Sequence, residues 1–291
     1  MVVCNHNPLW LLILLATKFI DYSSSGKYPR VAGGDQVRSK EAPYVALSLH
    51  PEIRCTAVIV SEEWVLGAAH CYFNHDTEVS PRDINIVTGI VDLNNQTDLI
   101  HRQERRASRI IVHSQFKEKK LGQNDVALVQ LESPLHFDNH TQAIPLSEAP
   151  FPRHQWKLCT VVGWGDTEEN VTATHLVKLD VSASHSRDAC HGLSDAQLAS
   201  LICVPEQVNG GGLCDGDSGG PLVCDGKLVG ISHQVYKEIF SDKDSLSLEC
   251  GMQDMVHTFM FMCKYLPWMK NYIDQTPDPP HSCFVAMKGN T

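Results

Sequence analysis

The chain has 291 residues, 43% of them hydrophobic, with 24 basic and 34 acidic side chains and a formal net charge of −10. This length allows one large β domain or two smaller ones, and the apolar content argues against a disordered or fibrous protein. The acidic balance argues against a nucleic-acid-binding protein, which usually carries a basic surface. Eleven cysteines are more than a reduced cytosolic protein usually holds, so the composition favours a secreted protein with several disulfides.

The N-terminus is predicted to carry a secretory signal. The apolar run LWLLILLA at residues 9–16 ends before Lys18, whereas a membrane-spanning helix needs about 20 apolar residues. We therefore expect residues 1–25 to form a signal peptide, with cleavage between Ala16 and Gly26. No other segment is apolar over a sufficient length to span a bilayer, so the sequence predicts an extracellular protein without a membrane partner.

Glycosylation motifs and the cysteine count fit the same secretory route. Removal of the signal would also remove Cys4, and eleven cysteines minus one leaves an even ten. Three Asn-X-Thr triplets predict N-glycosylation, at Asn95, Asn139 and Asn170.

Short runs rich in Val, Ile, Leu and Thr recur between turn residues and predict β-strands. No long 3.6-residue periodicity separates them, so the pattern favours an all-β protein over alternating strands and helices. Helices are predicted only at residues 194–201 and 264–273, and the Pro- and His-rich residues 133–156 are predicted to connect two halves. The predicted strands are 44–49, 56–60, 64–68, 84–88, 110–112, 126–131, 160–162, 177–181, 221–224 and 227–231.

The strongest chemical motif is CDGDSGGPL at residues 214–222. Its glycines permit unusual backbone angles and let a substrate carbonyl approach the main-chain N–H groups around Ser218. A serine is a poor nucleophile without a base, and His70 in AAHC, at the end of an apolar run, is the candidate base. Asp125 in NDVAL precedes a buried-looking strand and is the candidate carboxylate that would hold the imidazole in one tautomer.

Four segments in chain order, WVLGAAHC, NDVALVQL, GWG and GDSGGPL, resemble trypsin/chymotrypsin-type serine proteases. The resemblance covers residues 31–273 and implies two antiparallel six-stranded β-barrels with a C-terminal helix. The first barrel would comprise residues 31–145, and the second barrel with the helix would comprise 146–273. Residues 274–291 would form a C-terminal extension.

The resemblance also implies the roles of the site residues. His70 would be the general base, Asp125 would orient it, and Ser218 would form an acyl-enzyme. The backbone N–H groups of Gly216 and Ser218 would form the oxyanion hole. No cofactor and no metal are implied.

A segment near the N-terminus, YPRVAGG, resembles the activation site of the family. Cleavage after Arg30 would release a short pro-segment, residues 26–30, and free the amine of Val31. That amine would insert and pair with Asp217, which would order the oxyanion hole. An ion pair of this kind can act as a switch because an unpaired buried charge is costly.

The resemblance implies a disulfide pattern for the ten remaining cysteines. Four bridges follow the family, and a fifth is proposed to tie the extension to the body of the protein. The implied pairs are Cys55–Cys71, Cys159–Cys224, Cys190–Cys203, Cys214–Cys250 and Cys263–Cys283.

The specificity pocket departs from trypsin. Gly212, six residues before Ser218, stands where trypsin-like enzymes carry an Asp, so a Lys or Arg side chain would find no counter-charge. Val235 falls where the family has Gly and should narrow the pocket, which favours a small apolar P1 residue. His257 is expected near the back wall, either as a satisfied structural histidine or as a determinant of acidic P1 preference.

Two functions are compatible with these features. The first is an active secreted serine endopeptidase that acts on protein or peptide substrates, needs an activating trypsin-like protease and meets protein protease inhibitors. The alternative is a catalytically weak or inactive relative that binds or regulates other proteins. The complete triad favours the first, whereas His233, which stands where the family has a Ser that supports the triad Asp, favours the second. The basic stretch at residues 101–109 is predicted to be a solvated loop face or an exosite for an anionic partner.

Overall fold

The computed structural model describes residues 34–74, 77–117, 124–152, 154–166, 173–205, 211–237 and 255–284. Several sequence predictions therefore lie outside the described residues: the signal peptide and pro-segment, Arg30, Val31, Asn170 and Cys250.

The regular secondary structure of the described residues is mainly β-strand. In chain order the strands are β1 (Asp35–Gln36), β2 (Val45–Leu49), β3 (Arg54–Ile59), β4 (Trp64–Gly67), β5 (Phe73–Asn74), β6 (Thr77–Glu78), β7 (Asn85–Thr88), β8 (Gln103–Val112), β9 (Ala127–Leu131), β10 (Trp156–Gly163), β11 (Val177–Ser184), β12 (Leu201–Pro205), β13 (Pro221–Cys224), β14 (Lys227–Lys237) and β15 (Met255–Phe261). The α-helices are α1 (Asp195–Leu198) and α2 (Leu266–Met269), and 3₁₀ turns span Ala69–Tyr72, Pro81–Asp83, Asp98–Ile100, Met262–Lys264 and His281–Phe284.

The first six-stranded barrel is closed and antiparallel, in the order β2-β3-β4-β9-β8-β7. Pairing of Leu47 on β2 with Val87 on β7 closes the ring. Its interior is filled by small and β-branched side chains such as Ala57, Ile59 and Val129, none of which is accessible to solvent. Because β-branched residues pack well on a pleated surface, this part of the sequence forms strands readily.

The second barrel contains the remaining long strands in the order β11-β10-β13-β14-β15-β12. Pairing of Ser184 on β11 with Cys203 on β12 closes it, and the short β1 adds to β11 from outside. The protein is therefore all-β and consists of two six-stranded antiparallel barrels, a chymotrypsin-like fold, which confirms the predicted fold class.

The C-terminal segment returns across both barrels. Met269 of α2 is buried in one cluster with Trp64 and Leu66 of the first barrel and with Leu228 of the second. The ring of Trp64 lies 6.3 Å from that of Tyr272. This shared core holds the two barrels against each other, so residues at their junction keep a defined separation.

Some strand and helix predictions need correction. The basic stretch is not a loop: from Gln103 onward it forms the start of β8, where half-buried and exposed side chains alternate over residues 103–106. The sequence did not predict the strands β12 and β15. The strand β15, MVHTFMF, is buried on both faces and therefore shows no alternation of apolar and polar residues. The helix predicted at 194–201 is only α1, since Leu201 already begins β12. Among the described residues no helix is long and apolar enough to cross a membrane.

Candidate active site

His70 lies at the junction of the barrels, in the 3₁₀ turn Ala69–Tyr72 that follows β4. Its backbone N–H donates to Oδ1 of Asp125 over 2.8 Å, and its Nδ1 lies 2.6 Å from Oδ2 of the same carboxylate. The side chain of His70 is 26% exposed, whereas that of Asp125 is 1% exposed. A carboxylate only accepts hydrogen bonds, so Nδ1 carries the proton and Nε2 is left as the basic nitrogen.

Asp125 is positioned by the backbone that enters β9. Asn124 before it has a left-handed conformation with φ of 53°, a region that Asn tolerates better than most residues. The side-chain oxygen of Asn124 accepts a hydrogen bond of 3.3 Å from the hydroxyl of Tyr265, in the C-terminal segment. Burial alone would raise the pKa of Asp125, but His70 and His233 stabilise its charged form and hold the pKa well below its usual range.

A second imidazole contacts the same carboxylate, and the sequence did not predict its contact. Nδ1 of His233 lies 2.6 Å from Oδ2 of Asp125, and its side chain is only 2% exposed. His233 lies on β14, where the register to β15 shifts between Ser232 and Val235, and such a bulge can redirect a side chain. The imidazole therefore supplies a second side-chain donor to this carboxylate.

Ser218 lies in the turn before β13. Gly216 and Gly219 both have positive φ, 94° and 80°, and a Cβ on Gly219 would lie 2.4 Å from the carbonyl oxygen of Thr56. Only glycine, which lacks a Cβ, lets the backbone at position 219 approach the backbone of Thr56 this closely. The carbonyl oxygen of Ser218 accepts a bond of 3.0 Å from Thr56 N–H and lies 3.9 Å from Sγ of Cys71, the residue after His70. The structure thus brings the predicted nucleophile turn against the segment that carries the predicted base.

Asp217 is buried beneath that turn. Its carboxylate accepts hydrogen bonds from the N–H groups of Gly165 and Cys214, over 2.7 and 2.9 Å. A Cβ on Gly163 or Gly165 would collide with the carboxylate, which explains the glycines of the GWG segment. Burial raises the pKa of Asp217 to about 7 despite these donors. An ammonium group placed here would find a carboxylate in need of a counter-charge.

The predicted specificity residues lie close together. Val235 on β14 is the register partner of His257 on β15. The imidazole occupies the space above Gly212, where a Cβ would lie 2.4 Å from Nε2. Nδ1 of His257 accepts a bond of 3.3 Å from Leu213 N–H, and burial lowers the pKa of His257 to about 4. His257 is therefore a neutral imidazole, and it borders a small apolar cavity lined by Val161, Leu179, Val181, Val204 and Phe259.

Four of the five implied disulfides lie among the described residues. One of them, Cys55–Cys71, holds the turn of His70 against β3. The others join Cys159 to Cys224, Cys190 to Cys203 and Cys263 to Cys283. Of the glycosylation candidates, Asn95 and Asn139 are exposed to solvent.

Three groups of described side chains could in principle offer ligands to a metal ion, but in one of them, Cys55, His70 and Cys71, the two cysteines are joined in a disulfide. Two groups remain. One is His70, Asp125 and His233, but both Nδ1 atoms already bind the carboxylate. The other is His101, Asp138 and His140, where the two imidazole rings stack 3.5 Å apart at an interplanar angle of 15°.

A double β-barrel whose junction carries a buried carboxylate, an imidazole and a glycine-flanked serine has the architecture of a serine peptidase of chymotrypsin-like fold. The family model described as Trypsin matches residues 31–239. This match covers more than half of the chain, and the protein belongs to the trypsin family of serine peptidases.

Individual relatives agree with this assignment. The chain is 30% identical over 227 residues to Snake venom serine proteinase 14 of Crotalus adamanteus, covering 76% of this chain and 80% of that protein. It is 27% identical over 248 residues to Serine protease 1 of Rattus norvegicus, covering 84% and 90%.

Solved structures share the fold. Neuropsin, a serine protease expressed in the limbic system of mouse brain, superposes with a TM-score of 0.66 at 23% identity, covering 82% of this chain and 98% of that chain. Human heparin binding protein superposes with a TM-score of 0.65 at 23% identity, covering 85% and 98%.

Proposed function

We propose that this protein is a secreted serine endopeptidase, made as a precursor and activated by cleavage after Arg30. The observation that carries the proposal is the contact of His70 with Asp125, in which one buried carboxylate binds both the backbone N–H and Nδ1 of the histidine. This pair holds the imidazole in the tautomer and orientation that a general base requires. The turn that carries Ser218 supplies the nucleophile, and it packs against Cys71, the residue after His70.

The reaction follows from these roles. Nε2 of His70 would take the proton of the Ser218 hydroxyl as its oxygen attacks the substrate carbonyl, and would then pass that proton to the leaving amine. The N–H groups of Gly216 and Ser218 would stabilise the negative oxygen of the tetrahedral intermediate. A water molecule, activated by the same imidazole, would hydrolyse the acyl-enzyme.

His233 bears on the choice between an enzyme and an inactive relative. Loss of the family's serine at this position would leave Asp125 with one donor fewer, and a buried carboxylate without its donors is destabilised. The imidazole of His233 replaces that donor at 2.6 Å. The substitution therefore preserves support for the triad carboxylate, and it favours the active enzyme over the regulatory alternative.

Activation is supported by the state of Asp217. Its buried carboxylate has donors from the backbone but a pKa raised to about 7, so the charged form is poorly stabilised. The amine of Val31, once freed by a trypsin-like protease, would provide the missing positive charge and lock the turn around Gly216.

We propose a preference for small apolar P1 residues. Val235 and His257 are opposed across two strands, and the imidazole covers Gly212, so little depth remains for a long side chain. A Lys or Arg would meet no carboxylate at Gly212. An acidic P1 is disfavoured as well, because His257 is neutral at physiological pH and offers no positive charge.

Further assignments follow the same proposal. Protein substrates are implied by the family, and protein protease inhibitors are expected partners. Extracellular localisation is consistent with the disulfides, and we propose glycosylation at Asn95, Asn139 and Asn170. We also propose a barrel boundary at residues 145 and 146, since the bridge between Leu146 and Leu228 joins the connecting segment to the second barrel.

The proposed function is tested by the change Ser218→Ala in the processed protein. We expect hydrolysis of a peptide substrate to fall by at least about 10⁴-fold because the nucleophile is removed, while the thermal unfolding midpoint stays within a few degrees. A fluorophosphonate probe should label the processed wild type at Ser218 and leave the variant unlabelled. Absence of labelling in correctly processed wild type would overturn the enzyme assignment.

The P1 proposal predicts that His257→Gly deepens the pocket. We expect the ratio of kcat/KM for a Phe P1 substrate to kcat/KM for an Ala P1 substrate to rise by about 10- to 100-fold. One or two additional methylene groups bound in an apolar pocket change kcat/KM by this order. His257→Gln is the matched control, since it keeps a side chain over Gly212 and should retain the small-residue preference. An unchanged P1 profile in His257→Gly would show that another residue limits the pocket.

A further inference from the structure

Thr56 is a residue of the first barrel that contacts the nucleophile turn through both its side chain and its backbone. It lies on β3 directly after Cys55, is completely buried, and pairs with Leu47 on β2. A buried hydroxyl requires hydrogen-bond partners, because leaving it unpaired costs about 1–3 kcal/mol. The partners of this hydroxyl lie in the second barrel.

The hydroxyl of Thr56 makes two hydrogen bonds across the barrel junction. Oγ1 donates to the carbonyl oxygen of Gly216 over 2.9 Å and accepts from the backbone N–H of Trp164 over 3.0 Å. These bonds account for the single O–H donor and one acceptor position of a threonine hydroxyl. They join the GWG segment, the first barrel and the nucleophile turn at one atom.

The backbone of Thr56 binds the other end of the same turn. Its N–H donates to the carbonyl oxygen of Ser218 over 3.0 Å. Any residue except proline could make this backbone bond, whereas the bond to Gly216 needs a side-chain donor at position 56. Thr56 thus holds the carbonyl groups of both residues whose N–H groups would form the oxyanion hole.

Such an anchor matters because the turn is rich in glycine. Gly216, with φ of 94°, can reach many backbone conformations at low energy, so the local sequence does not fix its conformation. Electrostatic stabilisation of an oxyanion depends on donors that are already aligned before the reaction. The hydrogen bond from the Thr56 hydroxyl to the Gly216 carbonyl restricts rotation of the peptide between Gly216 and Asp217. This peptide lies between the two N–H groups of the proposed oxyanion hole.

We propose that Thr56 is a positioning residue whose hydroxyl holds Gly216 and keeps the oxyanion turn aligned for catalysis. It acts through the turn and does not touch substrate. The inference rests on the proposed peptidase function and deepens it. The side-chain bonds of Thr56 join Gly216 and Trp164, so Thr56 would supplement the alignment expected from the Val31 amine.

The test compares Thr56→Val with Thr56→Ser in the processed enzyme. Valine has nearly the shape of threonine without the hydroxyl, whereas serine keeps the hydroxyl and loses the methyl group. We expect Thr56→Val to lower kcat about 10- to 100-fold with KM within about twofold, a part of the effect of removing an oxyanion donor outright. Thr56→Ser should stay within about threefold of the wild type in kcat.

A second readout separates alignment from general loss of structure. A peptide aldehyde, which adds to Ser218 and places its oxygen at the oxyanion position, should bind Thr56→Val more weakly by the same factor as kcat/KM falls. A non-covalent P1 ligand should bind all three proteins equally. If Thr56→Val does not fold, Thr56→Ala, which leaves room for water beside Trp164, replaces it, with the same direction of effect expected.

The outcomes distinguish this inference from the proposed function. Unchanged kcat and aldehyde affinity in Thr56→Val would overturn the role of Thr56, as would a loss that serine does not restore. If the processed wild type is itself unreactive toward the fluorophosphonate, the peptidase proposal fails first.

Discussion

Replacing Asp125 with asparagine is expected to lower kcat of the processed enzyme about 10⁴-fold. Oδ1 of Asp125 accepts the backbone N–H of His70, and Oδ2 faces the Nδ1 atoms of His70 and His233. An amide has one acceptor and one donor end, so it cannot satisfy donors on both sides. If the NH₂ group takes the place of Oδ1, it opposes the backbone N–H of His70. If it takes the place of Oδ2, it donates to Nδ1 of His70 and forces the imidazole proton onto Nε2, which can then no longer act as the base.

The matched control for Asp125→Asn is His233→Ser. Serine, which the sequence resemblance places at this position, keeps a hydroxyl donor, so we expect kcat to fall by less than about tenfold. Steady-state kinetics from pH 5 to 9, with circular dichroism to confirm folding, measure both effects. An Asp125→Asn enzyme that retains activity within tenfold of wild type would contradict the assignment of Asp125 as the orienting carboxylate.

Asp217→Asn is expected to inactivate the processed enzyme by about 10²- to 10³-fold. The freed amine of Val31 would lose its buried counter-charge, and the turn that carries Gly216 and Ser218 would lose the contact that orders it. Fluorophosphonate labelling rates of processed wild type and variant measure this effect. Equal labelling rates would contradict the proposed activation by the Val31 amine.

The same carboxylate should make the stability of the precursor depend on pH. Burial raises the pKa of Asp217 in the folded chain from an ordinary value of 3.8 to about 7, so the folded state binds more protons than the unfolded state between these values. The contribution of Asp217 to stability is therefore largest at acidic pH and falls as pH rises through this window, by a few kcal/mol in all. Above about pH 7 no further change is expected from this group.

Urea unfolding of two precursors isolates this dependence. Both carry Ser218→Ala to prevent self-cleavage, and one also carries Asp217→Asn. The lowered pKa of Asp125 acts in the opposite direction, because its contribution is lost as pH falls, but it is common to both proteins. The difference in unfolding free energy between them should change from pH 4.5 to 7.5, and a constant difference would contradict the raised pKa of Asp217.

The sequence predicted the class of fold correctly. Runs of β-branched residues between turns indicated an all-β chain, and β13 was predicted with its observed bounds, Pro221–Cys224. The prediction failed where local patterns are ambiguous. The strand β15, MVHTFMF, has no alternation because both of its faces are buried, and the charged residues of β8 resembled a loop.

The partners of several site residues could not be predicted, for a physical reason. Ser218, His70 and Asp125 could be proposed from the sequence because nucleophile, base and carboxylate need particular residue types in particular local settings. The contact of His233 with Asp125 joins residues 108 positions apart, and the contact of Thr56 with Gly216 spans 160 positions. No local pattern encodes either contact.

By itself, then, the sequence indicated the candidate groups for the chemistry: a serine in a glycine-rich turn, a histidine, a carboxylate, and a predicted pocket without an acidic floor at Gly212. Only the tertiary structure decided which groups support that chemistry. Closure of two barrels and a bulge in β14 bring His233 onto Asp125, and the pairing of β14 with β15 sets His257 over Gly212. Hydrogen bonds and burial depend on distances between strands that are remote along the chain, and those distances are set by packing of the whole molecule.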